Sequence, residues 1–251
     1  MIGLQLYTVR DHLNTPEEAE KTFQRIREIG YDTVQFGNTG FAEPERIKEL
    51  LNENSFSVYG SGIRLYEKFA DDVEEFIKLQ KIIGIKDVCF NMPPEMRISK
   101  EGYLKFISEA NNYSRIFGEH GIRIFYHNHN FEFVKFDGTL GMDYLIDGLD
   151  PEKVDFEIDT YWVQAGGADP AQWIRKLKGR MKAVHFKDMS IDLERKQHFA
   201  EVGEGNMNWN EIIKACQESG IEIYCVEQDF CQRDSLESAE ISYKNMKKMG
   251  L

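Results

Sequence analysis

Residues 15–37 read Thr-Pro-Glu-Glu-Ala-Glu-Lys-Thr-Phe-Gln-Arg-Ile-Arg-Glu-Ile-Gly-Tyr-Asp-Thr-Val-Gln-Phe-Gly, and this stretch holds the unit from which the chain is built. Thr15 can cap a helix, Pro16 fits its first turn, and Glu17 and Glu18 suit the positive end of its dipole. Ala19, Phe23, Ile26 and Ile29 recur at three- and four-residue steps and give one apolar face. Gly30 supplies a left-handed stop, and residues 33–37 then form a short β-branched and aromatic run. A glycine stop followed directly by an apolar residue returns at Gly84-Ile85, Gly121-Ile122 and Gly220-Ile221.

Working outward, eight strand candidates emerge at 3–8, 33–37, 56–62, 86–91, 123–129, 155–160, 182–187 and 222–228. Helical spacing follows each, near 16–29, 44–54, 72–83, 101–119, 139–148, 170–178, 208–219 and 235–248. A chain of 251 residues allows two domains or one barrel. Eight alternations at roughly 31 residues each, with no Pro/Gly/Ser-rich linker, favour a (β/α)8 TIM barrel as one domain over 1–251. Residues 189–208 read as an irregular loop. No GxGxxG follows the first strand and no phosphate-loop motif is present, so neither nucleotide fingerprint applies.

With 43 acidic against 31 basic side chains the net charge is −12, which disfavours nucleic acid and anionic membrane surfaces as partners. No apolar run is long enough to span a bilayer, and the N-terminus reads as an immediate strand, not a signal peptide. Cys89, Cys216, Cys225 and Cys231 form no CxxC pair. Reduced thiols and a cytoplasmic location are the expectation.

In a barrel the functional face lies at the C-terminal strand ends. The first four end in neutral residues: Gln5 and Tyr7, Gln35, Ser61 and Asn91. The last four carry His127 and His129, Glu157 and Asp159, His185 and Lys187, and Glu227. Alternating parity sends the apolar neighbours Phe156, Ile158, Val184, Phe186, Tyr224 and Val226 to the helix layer and turns these polar residues inward. A bulge in the fifth strand would reverse its parity. His127, Asp159, His185 and Glu227 then converge as a mixed N/O site for Mn²⁺, Zn²⁺, Co²⁺ or Fe²⁺, with Mg²⁺ also compatible. Taken singly, each has a plainer reading: Asp159 as the cap of a short turn, each histidine as a hydrogen-bonded core residue. Glu157 and Lys187 can pair as a salt bridge inside the barrel. Of the rim aromatics Tyr7, Phe36, Tyr126, Phe131, Tyr161, Trp162 and Trp209, Trp162 is placed to wall a pocket and face the C–H side of a sugar ring.

These residues resemble a known family. Tyr126-His127-Asn128-His129-Asn130-Phe131-Glu132-Phe133 is similar to the YHNHxxEF segment of sugar phosphate isomerase/epimerase proteins with the xylose isomerase-like barrel. Asp159-Thr160-Tyr161-Trp162, Val184-His185-Phe186-Lys187-Asp188, Val202-Gly203-Glu204-Gly205 and Val226-Glu227 follow in the same order. The resemblance implies one divalent metal, manganese first, and a small sugar or sugar derivative as substrate. Asp159, His185 and Glu227 match ligands of the family's ketose epimerases. His127 stands where those enzymes place a catalytic Glu, and it can ligate or act as a second base. His129, Glu132, Trp162 and Glu204 are the implied substrate contacts. Barrels of this kind often pair, so a homo-oligomer is compatible.

The chemistry expected is proton abstraction next to a carbonyl, with Glu227 as acid/base and Lys187, His129 or His127 assisting. The products would be those of an isomerase or epimerase. A lyase, a dehydratase or an enzyme opening a keto-glycoside would use the same site. A non-catalytic sugar-binding barrel predicts no bound metal. An endonuclease-IV-like phosphodiesterase would need more ligands on the early strands and a more basic surface.

Overall fold

The structure is a computed structural model that describes residues 1–37, 42–62 and 73–251. Strands β1 (Ile2–Gln5), β2 (Thr33–Phe36), β3 (Ser57–Gly62), β4 (Asp87–Cys89), β5 (Arg123–His127), β8 (Val154–Asp159), β9 (Met181–Phe186) and β12 (Ile223–Val226) pair in parallel and close in the order β1-β12-β9-β8-β5-β4-β3-β2. This is the expected eight-stranded barrel. Helices α1 (Pro16–Ile29), α2 (Pro44–Glu53), α3 (Val73–Ile83), α4 (Lys100–Glu119), α5 (Gly141–Gly148), α7 (Pro170–Lys176), α8 (Trp209–Ser219) and α9 (Ser235–Lys248) follow the strands. Residue 72, where the third helix was expected to begin, lies outside the described residues.

Local signals act as read. The Thr15 side chain accepts from the Glu18 amide, and Gly30 ends α1 at φ 119°. Outward strand residues make the main core. Phe186 meets Trp209 of α8 at 4.9 Å between ring centroids, and Tyr126 meets Phe106 of α4 at 5.5 Å. Each such ring buried contributes about 1.5–3 kcal/mol. Inside the barrel, Tyr59, Cys89, Phe125, Ala183, Ile223 and Cys225 form a separate apolar floor, with Tyr59 stacked on Phe125 at 5.4 Å. The four cysteines are unpaired.

Several strands end earlier than the periodicity suggests. β1 stops at Gln5, whose side chain accepts from the Tyr7 amide and starts a 3-10 turn over Leu6–His12. β5 stops at His127: the Asp159 amide donates to Asn128 Oδ1 at 2.9 Å, so a side chain replaces the next ladder bond. The segment 189–208 is less irregular than expected, because β10 (Asp188–Ile191) and β11 (Gln197–Ala200) form an antiparallel hairpin there. A second hairpin, β6 (Lys135–Phe136) and β7 (Thr139–Leu140), turns at Asp137-Gly138, both at positive φ. Helix α6 (Thr160–Ala165) starts directly from β8 and was not expected. Among the described residues no helix is long and apolar enough to cross a membrane.

Candidate metal centre and substrate pocket

A cavity of about 270 Å³ opens at the C-terminal ends of the strands. Gln5, Tyr7, Gln35 and Asn91 line one side, while His127, His129, Trp162, His185, Lys187, Glu227 and Asp229 line the other. One ligand atom each from His127, Asp159, His185 and Glu227 lies within 4.8 Å of the rest, and all four residues are buried. His127 Nε2 is 3.4 Å from Asp159 Oδ2, and His185 Nδ1 is 2.9 Å from Glu227 Oε2. The two carboxylate oxygens touch the Lys187 ammonium, at 2.8 and 2.7 Å, and the two imidazole nitrogens are buried without a hydrogen bond among the described residues. Two carboxylate oxygens and two imidazole nitrogens converging within 4.8 Å fit a divalent first-row ion. The donor set by itself does not choose among Mn²⁺, Zn²⁺, Co²⁺ and Fe²⁺.

Parity explains the convergence. β8 pairs with β9 so that Asp159 lies opposite His185, and β12 pairs Cys225 with His185, so Glu227 follows two residues higher with the same parity. Asp159 has two tasks: its Oδ1 caps α6 by accepting from the Trp162 amide at 2.9 Å, while Oδ2 faces the other ligands. The cap reading and the ligand reading therefore hold for different oxygens of one carboxylate.

Lys187 is 1 % exposed, and its ammonium lies 2.8 Å from Asp159, 2.7 Å from Glu227 and 2.9 Å from Asp229. Burial acts to raise the Glu227 carboxyl, but Lys187 and His185 overcome it and hold the group well below the usual carboxylate range. Burial opposes the charge of Lys187 too, and the three carboxylates outweigh it, pushing the ammonium's pKa up. The expected Glu157–Lys187 bridge is replaced. Asp159 pairs with His185, so Glu157 lies two residues deeper than that level and Lys187 two residues higher. Glu157 instead accepts from Gln35 at 2.9 and 3.0 Å and lies 3.1 Å from His185 Nε2.

The four anticipated substrate contacts divide. His129 and Trp162 line the cavity, with ring centroids 5.7 Å apart. Burial lowers the His129 pKa to about 3, so this imidazole is neutral at physiological pH. Glu132 and Glu204 do not line the cavity. Glu132 is fully buried behind the wall, accepting from Tyr126 Oη at 2.6 Å and from the His129 amide at 2.9 Å, and so steadies His129. Burial pushes its carboxyl up to about 7. Glu204 accepts from Asn245 of α9 at 2.7 Å. Its neighbours explain why it turns away. The Gly203 and Gly205 amides donate to Asp188 Oδ2 at 2.8 and 3.1 Å, and a side chain on Gly205 would collide with that carboxylate. Gly203 meets its share of this geometry at φ 88°. The Val202–Gly205 motif is thus a cradle for Asp188, which also accepts from Trp209 Nε1 at 2.6 Å.

Three residues that the strand-end reading set aside belong to the site. Asp229 shares the parity of Glu227 two positions on, which was the available signal. Gln5 and Gln35 reach the centre through neutral amides, and nothing in charge patterning marks them. Tyr7 also lines the cavity, whereas Phe36, Tyr126 and Trp209 are core residues.

Comparison with known proteins places the chain. An inosose dehydratase of Lacticaseibacillus casei is 31 % identical over 138 residues, covering 48 % of this chain and 46 % of that protein, so the match spans about half the relative's length. A sugar phosphate isomerase/epimerase from Parabacteroides distasonis superposes with TM-score 0.79 at 24 % identity, over 98 % of this chain and 93 % of that one. The IOLI protein with a bound zinc atom superposes with TM-score 0.75 at 15 % identity, over 98 % and 96 % of the two chains. The family model of the xylose isomerase-like TIM barrel matches residues 23–248, nearly the whole of the barrel just described. With closed topology and family model in agreement, the chain belongs to the xylose isomerase-like TIM barrel family.

Proposed function

We propose that the protein is a divalent-metal-dependent enzyme that removes a proton next to the carbonyl of a small sugar or keto-sugar. The observation that carries this reading is the convergence of four buried ligand atoms beside a buried ammonium at the floor of one cavity. At about 270 Å³ the cavity is near the lower end of the roughly 300–1,000 Å³ typical of small-ligand sites, which suits a monosaccharide-sized substrate.

His127, Asp159, His185 and Glu227 would hold the ion, which supplies Lewis acidity toward a substrate carbonyl and an adjacent hydroxyl. The Glu227 carboxylate takes the proton from the α carbon, and the C–H electron pair moves into the carbonyl to give an enediolate. The Lys187 ammonium, held by three carboxylates, donates to the developing oxyanion. Neutral His129 offers Nδ1, which is buried and without a hydrogen bond, to a substrate hydroxyl. Trp162 presents its ring to the C–H face of the sugar. Returning the proton to the same or the neighbouring carbon completes an epimerisation or isomerisation.

Dehydration is the second reading, and the inosose dehydratase relative favours it. The enediolate would then expel a β hydroxyl as water, with a proton delivered from Lys187 or from protonated Glu227. A symmetric two-glutamate epimerisation fits less well, because His127 stands where the family's ketose epimerases place the other Glu. Incubation of the metal-loaded protein in D₂O with ketoses and with inososes separates these outcomes. Deuterium in a recovered epimer or isomer supports the first reading, and an unsaturated or diketo product supports the second. With neither deuterium uptake nor product across both panels, proton abstraction is wrong. Manganese and zinc are the first ions to load, the latter because the IOLI protein carries zinc.

A further inference from the structure

Glu157 is 1 % exposed and lies below the metal ligands, where a carboxylate is expensive to bury. Among the described residues the partners of its carboxylate are an amide, Gln35, and one ring edge of His185. We propose that Glu157 and Gln35 act as a positioning pair that fixes which nitrogen of His185 faces the metal. The proposal rests on the metal reading given above.

The geometry is directional. The Nε2 edge of His185 faces Glu157 Oε2 at 3.1 Å and contacts Gln35 Oε1. The Nδ1 edge faces Glu227 Oε2 at 2.9 Å and Asp159 Oδ2 at 3.9 Å. Both edges face acceptors, but the two oxygens at Nδ1 belong to proposed ligands that the ion would engage, whereas Glu157 and Gln35 remain free to accept. With the ion bound they hold the ring proton on Nε2 and leave the Nδ1 lone pair to the metal.

The acceptors are themselves fixed. Gln35 Nε2 donates to both oxygens of Glu157, at 2.9 and 3.0 Å, which turns its own Oε1 toward His185. Gln5 Nε2 donates to the same Oε1 at 2.9 Å, and the Cys225 thiol donates at 3.5 Å. A flipped Gln35 amide would set its N–H groups against the donors of Gln5, His185 and Cys225 and its oxygen against the Glu157 carboxylate. The network therefore has one consistent orientation, and it runs from β1 and β2 to the ligands on β9 and β12.

The test is metal binding, not turnover. In ¹⁵N-histidine-labelled wild type loaded with Zn²⁺, long-range ¹H–¹⁵N spectra should show His185 protonated at Nε2 and ligated through Nδ1. E157L should bind Zn²⁺ about 10–100-fold more weakly. E157Q keeps an acceptor and should lose less than tenfold. Ligation through Nε2 in the wild type overturns the proposal and needs no variant to fold. So does an E157L affinity within twofold of wild type, provided its thermal unfolding remains cooperative. A wild type that takes up no Zn²⁺ or Mn²⁺ overturns the metal reading and this one together. A wild type that binds the ion, with E157L unaffected, overturns only the positioning role.

Discussion

The two halves of the barrel use the same βα unit and treat their strand ends differently. The ends of β5, β8, β9 and β12, with the residues just past them, bring three histidines, the lysine and the carboxylates Glu157, Glu227 and Asp229 to the cavity, with Asp159 beside them. β1 to β4 deliver amides, and Ser61 at the end of β3 is turned to Gln80 at 2.9 Å. The division follows from cost. Like charges gathered in a buried site need a cation among them, so they must be few and close. Direction is cheaper, because a buried glutamine carries no net charge and fixes a neighbour through geometry. One half supplies the charge and the other half aims it.

The sharpest way to break this comparison is to remove charge from the second half. Glu227→Gln should lower kcat by about 10²–10⁴-fold in whichever assay the substrate panel establishes. It should also weaken metal binding, measured by titration. Retention of more than a tenth of the activity would place the proton-moving group elsewhere. Asp188→Ala strikes the scaffold of the same half. It leaves the Gly203 and Gly205 amides and the Trp209 indole without their acceptor, and should cost about 2–4 kcal/mol in urea unfolding. Zn²⁺ at about one hundred times its Kd should raise stability by about 2.7 kcal/mol in wild type, visible as a rise in Tm that a chelator reverses.

How much of this was legible depends on what kind of signal a residue emits. The barrel was readable because cap, apolar face, glycine stop and strand repeat together, as at Thr15 to Phe36. The convergence of Asp159, His185 and Glu227 was readable because parity and charge coincide on β8, β9 and β12. Strand ends were overrun where a side chain replaces the ladder, as Asn128 does, since periodicity is blind to that substitution. The β6–β7 hairpin has its own signal in Asp137-Gly138, a pair suited to a type I′ turn, but the longer helical pattern that begins at residue 139 masks it. Glu132 and Glu204 show the opposite limit. A motif match marks a position, and only packing shows that one carboxyl supports a backbone and the other leaves the cavity.

A gentler perturbation sharpens the role of burial behind the charged half. Glu132 has its carboxyl pushed up to about 7 by burial. The folded chain therefore holds a proton that the unfolded chain releases near the ordinary pKa of about 4.3. The stability this proton contributes is fully present below that lower value and is lost as pH rises through the folded pKa. Wild type should lose on the order of 2 kcal/mol relative to Glu132→Gln between pH 5 and pH 8. Parallel urea-unfolding curves at those two pH values would show that the carboxyl titrates normally.

The smallest expected effect is the most informative about the neutral half. Gln5→Leu removes a 2.9 Å bond to Gln35 Oε1 and the 3.2 Å bond from the Tyr7 amide, at nearly constant volume. Stability should fall by about 1 kcal/mol, the net value of a buried neutral hydrogen bond. Zn²⁺ affinity should fall only a few-fold, because Gln35 remains clamped to both oxygens of Glu157 and still accepts from His185. A loss as large as that expected for E157L would mean that the aim is set on β1 and merely relayed by Gln35 and Glu157. The orienting half would then begin at the first strand of the barrel, directly beside β12 and the Glu227 that follows it.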